Sequence, residues 1–326
     1  MNIITSFLIL SCAIVFSPLN MDALYAEKPS SDSTLIMFWN LENFFYPEDE
    51  GTGESDKEFS PSGSRHWTFR KYYRKGALVA KSIMWIADKY GKVPDIIALA
   101  EIENRKVLNM LVYSTLLRKY KYAILHRDSN DHRGIDVALL WRKDTYTLTS
   151  SGIRRLQGMQ TRDILIADMK ENSTGRHILV AVNHFPSKFG GKTSSSGRLL
   201  ATESLKSVCD SVLNSGNKNV VACGDFNDVP SAEEFDGLRG SMVCKADSLE
   251  LSDKGTIRFE GKWDLIDIFW VSKTLAPISQ MQIVEIPFLM VWDNVHSGYK
   301  PLRTFSGPRY IGGVSDHCPV LLLLGN

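Results

Sequence analysis

From residue 34 onward, compact apolar runs alternate with longer segments in which apolar positions recur every three or four residues. The first pattern predicts buried strands and the second amphipathic helices. Strands are expected at 34–40 ("TLIMFWN"), 95–101, 122–127, 135–142, 146–156, 162–170, 176–185, 219–228, 265–272, 281–286 and 318–324 ("CPVLLLL"). Helices are expected at 68–91, closed by Gly91, at 105–120 and at about 196–216. The segment 46–67, "YPEDEGTGESDKEFSPSGSRHW", reads as a loop too long and too charged to be buried. A loop of about 30 residues precedes the last strand.

Helices interspersed with many short, adjacent strands predict a mixed α/β fold in which helices cover the sheets. No internal repeat and no low-complexity linker divides the chain, so residues 34–326 are expected to form one domain. Ahead of it, the apolar core at 7–16 is too short to span a bilayer and suits a signal peptide over residues 1–26, cleaved after Ala26, with 27–33 as a short leader. The expected location is therefore extracytoplasmic, periplasmic or secreted. The leader departs from the usual pattern in having no Lys or Arg before the apolar run and a large Leu24 three residues before the cut. "ILSC", ending at Cys12, resembles a lipoprotein box, but the apolar run continues past it. Cys209, Cys223, Cys244 and Cys318 form no C-x-x-C pair and are expected as buried thiols.

A formal net charge of +1 excludes an overall basic field, so any attraction for nucleic acid must come from a local patch. "RHWTFRKYYRK" (65–75) mixes cations with aromatics and is one such patch, although a helix start with a solvated basic face explains it as well. The neighbouring "PEDEGTGESDKE" (47–58) is acidic and would repel phosphate. "PFLMVWDN" (287–294) suits either a membrane-facing hairpin or core packing.

The chemistry lies where strands stop. Asn40 and Glu42 end the first, Glu101 the second, with Glu103 beyond it. Asn183 and His184 end a third, and Asp225, Asn227 and Asp228 a fourth; Asp267 lies inside "LIDIFWVS", and Asp316 and His317 precede the last. One acid at a strand end merely caps or solvates a turn, and Glu42, Glu103 and Asp228 are read in that way. Five segments ending alike point to a shared site, because burying unpaired carboxylates costs several kcal/mol. Carboxylate and amide oxygens suit a hard cation, Mg²⁺ or Mn²⁺, and the absence of paired Cys or H-E-x-x-H argues against zinc. A hard cation with acids and histidines is the equipment for hydrolysing a phosphate ester.

"FWNLENFF", "DIIALAEIEN", "GIDVALLWR", "VNHFPSKFGG", "GDFND", "LIDIFWVS" and "SDHCPV" occur in an order that resembles the endonuclease/exonuclease/phosphatase superfamily over residues 34–324. "GDFN" with a later "SDH" is the most specific part of this likeness. The resemblance implies a DNase I-like four-layer α/β/β/α sandwich, two packed mixed sheets flanked by helices, with the site at one sheet edge. It implies that Glu101 is the principal metal ligand, with Asn40 beside the metal and phosphate and Asp316 nearby. Asp225 and Asn227 would align or activate water, His184 would hydrogen-bond the phosphate or leaving group, and Asp267 would orient His317. The division of acid and base roles among Asp225 and the two histidines stays open.

"WDLID" offers Asp264 as a rival to Asp267, and Asp136 stands where nucleases often have a small residue. Arg133, Lys188 and Arg198 are candidate contacts to the substrate phosphate, the last two in the cationic segment "PSKFGGKTSSSGR" together with Ser187 and Lys192. The expected activity is divalent-metal-dependent hydrolysis by a phosphodiesterase of nuclease type, with nucleic acid as a possible substrate. The alternatives are a phosphatase or phospholipase on inositol, sugar or lipid phosphates, and a catalytically silent binding module. A monomer without a transmembrane span beyond the leader is expected.

Overall fold

The computed structural model describes residues 33–48, 53–188, 192–252 and 254–325. Strand β1 (Thr34–Phe44) explains the layering. Ile36 and Phe38 point into one core, while Leu35, Met37, Trp39 and Leu41 point into another. Successive strand residues face opposite ways, so a strand buried on both faces reads as an unbroken apolar run. A one-residue slip would exchange the two sets, and this fixes the register.

The remaining sheet strands are β2 (Ile96–Ile102), β3 (Tyr122–His126), β4 (Asp136–Arg142), β5 (Tyr146–Arg154), β6 (Ile164–Glu171) and β7 (His177–His184). They continue with β8 (Val220–Asp225), β9 (Met242–Cys244), β10 (Asp267–Ser272), β11 (Ser279–Ile283) and β12 (Val320–Leu324). Among the described residues they form two six-stranded mixed sheets, ordered β11-β12-β1-β2-β4-β3 and β5-β6-β7-β8-β10-β9. Helices α1 (Phe69–Tyr90) and α2 (Arg105–Ser114) cover the outer face of the first sheet, with Ile83 and Leu111 packed in the core of Met37 and Leu99. Helix α3 (Lys192–Asn214) covers the second through Ala201 and Leu205. The result is the mixed α/β fold that the sequence pattern predicts, in the α/β/β/α sandwich form that the family resemblance implies.

Gly91 closes α1 at φ 78°, and the Asn104 side chain caps α2 by accepting from the Lys106 and Val107 N–H groups. The helix expected over 105–120 is broken at Thr115. This residue adopts an extended conformation, and its Oγ1 accepts from Leu117 N to start a 3₁₀ turn over Leu116–Tyr120. The segment 46–67 also departs from expectation, because Phe59 and Trp67 are buried and the Trp67 indole donates to Phe45 O. Of the basic patch at 65–75, Trp67, Tyr72 and Lys75 are interior; the Lys75 ammonium donates to Glu42 O and Thr304 Oγ1. Cys209, Cys223, Cys244 and Cys318 are buried thiols. Among the described residues no helix is long and apolar enough to cross a membrane. The expected signal peptide, its cleavage after Ala26, the leader as far as residue 32 and Cys12 lie outside the described residues.

Candidate active site

Three of the expected residues stand in one row on the second sheet. His184 ends β7 and pairs in register with Asp225, which ends the parallel β8; Asp225 in turn pairs with Asp267, the first residue of antiparallel β10. Gly224 makes the row possible, since a Cβ there would lie 2.3 Å from Asn183 O. After the row, Asn227 (φ 52°) folds back, its N–H on Asp225 Oδ1 and its amide on Phe185 O.

The first sheet meets this row with residues aimed by bulges. Pairing of β1 with β2 shifts register between Asn40 and Phe44, and that of β2 with β4 between Ala100 and Ile102. Glu42, Asn43 and Glu101 consequently hold φ values of 45°, 52° and 59°, left-handed geometry that costs roughly 1–2 kcal/mol per residue. Such strain persists where surrounding structure enforces it and turns a side chain toward a site. The enforcement is visible: Asn43 N donates to Glu101 Oε2 (2.7 Å), and Glu42 N to Asn40 Oδ1 (2.9 Å). The Asn40 amide nitrogen donates across the seam to Asp225 Oδ2 (3.0 Å) and faces Glu101 Oε1 at 3.4 Å. In this orientation Asn40 presents nitrogen rather than oxygen to the acids and holds the two carboxylates in place.

The last turn closes the site. Gly313 lets the chain press against Leu302, where a Cβ would meet the carbonyl oxygen at 1.8 Å. Ser315 Oγ donates to Asn40 O and accepts from His317 N, and the Trp39 indole donates to His317 O. His317 Nδ1 lies 2.8 Å from Asp267 Oδ2, while its Nε2 faces Asp225 Oδ2 at 3.9 Å and Asp316 Oδ1 at 3.8 Å. Asp267 is therefore the partner of this histidine. Its rival Asp264 lies in a short hairpin strand, Lys262–Asp264, opposite Ile257.

Charge is distributed unevenly over the cluster. Burial pushes Asp225 up to about 7, reinforced by Asp267 and opposed by His317. Burial works against a charged His317, but the Asp267 pair, with Asp316 and Asp225, outweighs it and holds the imidazole well above its usual value. His184 goes the other way, held well below by burial and by Arg162, Arg133 and His317. Burial also opposes a charged Glu101, yet Arg133, His317 and the Asn43 N–H keep its carboxyl low. It is thus an anion at neutral pH.

These groups line a cleft of about 620 Å³, with Asn40 and Asp267 buried behind its wall. Arg133 is on the cleft, its guanidinium 3.4 Å from Glu101 Oε1. Lys188 instead reaches Asp228 at 2.8 Å. Arg198 corrects the expectation outright: it is buried in α3 and clamps Asp228 (3.0 Å) and Glu234 (3.2 Å), away from the cleft. The side chain of Lys192 lies outside the described residues. Of the cleft residues not singled out as site members, three are an acid and two arginines held in ion pairs. Glu42, expected as a solvated or capping residue, is buried and accepts from Arg303 Nε and Thr304 N. Arg162 is buried against Asp131 (2.9 Å), and Arg303 bridges Glu42 and Asp316 at 3.0 Å each. No local motif marks the two arginines; Asp131 lies 31 residues from Arg162, and Glu42 lies 261 from Arg303.

The donor set fits a hard divalent cation. Neighbours of Glu101 Oε1 stand at 3.4, 3.4 and 3.9 Å (Asn40, Arg133, His184), too long to satisfy a buried carboxylate oxygen well. Asp316 lines the same cleft, and all the carboxylate donors are oxygens. Asp225, Asp267 and His317 also gather within ligating range of one another, but there the short Asp267–His317 hydrogen bond already occupies Nδ1.

Comparison with known proteins places the chain in a family. The profile of the Endonuclease/Exonuclease/phosphatase family matches residues 35–326, and the chain belongs to that family. Nocturnin from Xenopus laevis is 26% identical over 218 residues, 64% of this chain and 51% of its own length, so the chain spans about half of that relative. Among solved structures, a humanized D. rerio TDP2 superposes with a TM-score of 0.58 at 16% identity, covering 91% of this chain and 100% of that one. A mannosyl-6-phosphatase of Bacteroides thetaiotaomicron gives 0.58 at 15% identity, covering 90% and 100%. At such identities these two likenesses establish the fold alone.

Proposed function

We propose that the protein is a divalent-metal-dependent phosphate-ester hydrolase. The observation that carries the reading is convergence on one atom: Asp225 Oδ2 lies 3.0 Å from Asn40 Nδ2, 3.6 Å from His184 Nε2 and 3.9 Å from His317 Nε2. A carboxylate near neutrality beside an imidazole held protonated forms a base and an acid at one phosphorus centre. Water attacks phosphorus and passes its proton to Asp225, the P–O bond to the alcohol breaks, and the departing oxygen takes the Nε2 proton of His317. His184, kept neutral, donates a hydrogen bond, and Arg133 offsets phosphoryl charge from the cleft wall. Glu101, with Asp316 on the same cleft, would hold Mg²⁺ or Mn²⁺. That ion supplies the positive charge that phosphoryl oxygens require.

The nuclease-type reading has the D. rerio TDP2 complex with single-strand DNA product in its favour. The Bacteroides mannosyl-6-phosphatase favours small phosphate esters. Burial of Trp67, Tyr72 and Lys75 thins the candidate nucleic-acid patch at 65–75, while Arg70, Tyr73 and Arg74 stay exposed there, so that segment favours neither substrate class. Extracytoplasmic action as a monomer belongs to the same proposal, and N-terminal sequencing of the secreted fraction tests the export. The function itself is tested with bis(p-nitrophenyl) phosphate. EDTA should abolish hydrolysis, Mg²⁺ or Mn²⁺ should restore it, and Asp225→Ala should remove it. A folded protein inert with every divalent metal would end the reading.

A further inference from the structure

Beyond the cleft, and sharing its sill of Glu42, Asn43 and Arg303, lies a second cavity of about 240 Å³. Phe59 and Phe305 line it, their rings edge to face at 6.0 Å. The Arg65 guanidinium sits 5.2 Å from the Phe305 ring centre and 5.7 Å from that of Phe59. Arg65 is fixed by Glu58 Oε1 (2.6 Å) and by the Gly307 carbonyl. Arg303 is fixed by Glu42 and Asp316, at 3.0 Å each.

Each guanidinium already faces a carboxylate, so the annex has no surplus positive charge with which to take a second phosphate. It offers instead donors on Arg65, Arg303 and the Asn43 amide, interspersed with acceptors on Glu42 and Gly307, beside aromatic rings. A hydroxyl is both donor and acceptor, so a ring bearing several hydroxyls needs both kinds of partner within reach. A nucleobase would bring a flat π-face and few hydroxyls, and an acyl chain none.

We propose that this annex is the subsite for a hexose-like polyhydroxylated ring, carried by the phosphate ester whose phosphorus sits at Asp225. The substrates are then sugar phosphates; this rests on the hydrolase reading above.

The test compares glucose 6-phosphate and mannose 6-phosphate with glycerol 3-phosphate, all with Mg²⁺, in the unaltered protein and in Arg65→Met, with bis(p-nitrophenyl) phosphate run alongside. The hexose esters should exceed glycerol 3-phosphate at least tenfold in kcat/KM, chiefly through KM. Arg65→Met, checked for folding by its melting curve, should collapse that ratio to within about threefold. A ratio near one in the unaltered protein overturns the subsite without reference to any variant, and so does a variant that depresses both esters by the same factor. Hydrolysis of bis(p-nitrophenyl) phosphate without hexose preference thus removes the subsite alone. A folded protein that hydrolyses nothing removes the hydrolase reading and the subsite together.

Discussion

His184 ends a strand of one sheet and His317 lies in the turn before the last strand of the other, yet both direct their Nε2 atoms at the same oxygen, Asp225 Oδ2, from 3.6 and 3.9 Å. Their surroundings give them opposite charge states. Burial and the facing arginines keep His184 neutral, while the Asp267 pair keeps His317 protonated against burial. Two identical side chains thereby differ in charge, as the proposed acid and hydrogen-bond donor require.

Replacing Asp267 separates orientation from mere presence of the imidazole. In Asp267→Asn, His317 loses the carboxylate that raises it, so its proton is lost at lower pH. The alkaline limb of the pH–rate profile should move acidward, and kcat should fall about 10²–10⁴-fold. A profile that keeps its alkaline limb would contradict the assignment of His317 as the acid.

His184 should leave a signature in stability. Its folded pKa is depressed, so below the ordinary histidine value of about 6.5 the unfolded chain binds a proton that the folded chain does not. Stability therefore falls as pH drops through that window, on the order of 1 kcal/mol per pH unit, until the folded pKa is reached. In EDTA, His184→Gln should show a shallower decline between pH 6.5 and 5 than the unaltered protein, measured by denaturant unfolding. Parallel curves would show that His184 is not the group responsible.

Arg198 and Arg133 should behave oppositely. Arg198→Met removes a buried guanidinium from Asp228, which keeps Lys188, and from Glu234, which keeps Ser195, and should cost about 1–3 kcal/mol of stability, with kcat/KM per folded molecule unchanged. Arg133→Met removes a partly exposed side chain from the cleft and should raise KM at least tenfold with little change in melting temperature. Exchange of these two phenotypes would reverse the placement of the phosphate contact.

Metal binding can be read without turnover. Mg²⁺ or Mn²⁺ at about 100 times its Kd should stabilise the protein by about 2.7 kcal/mol. Glu101→Gln, which keeps the side-chain shape, should show little of that shift. An equal shift in both proteins would move the ion elsewhere.

Most of the framework was legible because burial on both faces leaves apolar runs, as at Met37–Trp39 and Val220–Cys223. The helix stop at Gly91 announced itself too. The break at Thr115 did not, because Thr is an acceptable helix residue and only its own cap reveals the turn. The row His184, Asp225 and Asp267 was legible as three strand ends; that they are register neighbours was not, since pairing joins residues 41 and 42 apart. Glu42 was misjudged because its partners Arg303 and Thr304 lie 261 and 262 residues away. The bulges that aim Glu42, Asn43 and Glu101 are equally silent, since hydrophobic alternation records which face a residue takes and not a left-handed φ.

The division of labour between the sheets has a mechanical corollary. Asp225 and its row belong to one slab of the sandwich, Asn40, Glu101 and the closing turn to the other, and the gap between them is bridged by side chains together with a short backbone contact of His317 and Cys318 to Thr256 and Ile257. Sliding the slabs by an ångström would break the alignment while nearly every backbone bond survived. Turnover is then a strain gauge for the interior, and on warming it should fade before the chain melts.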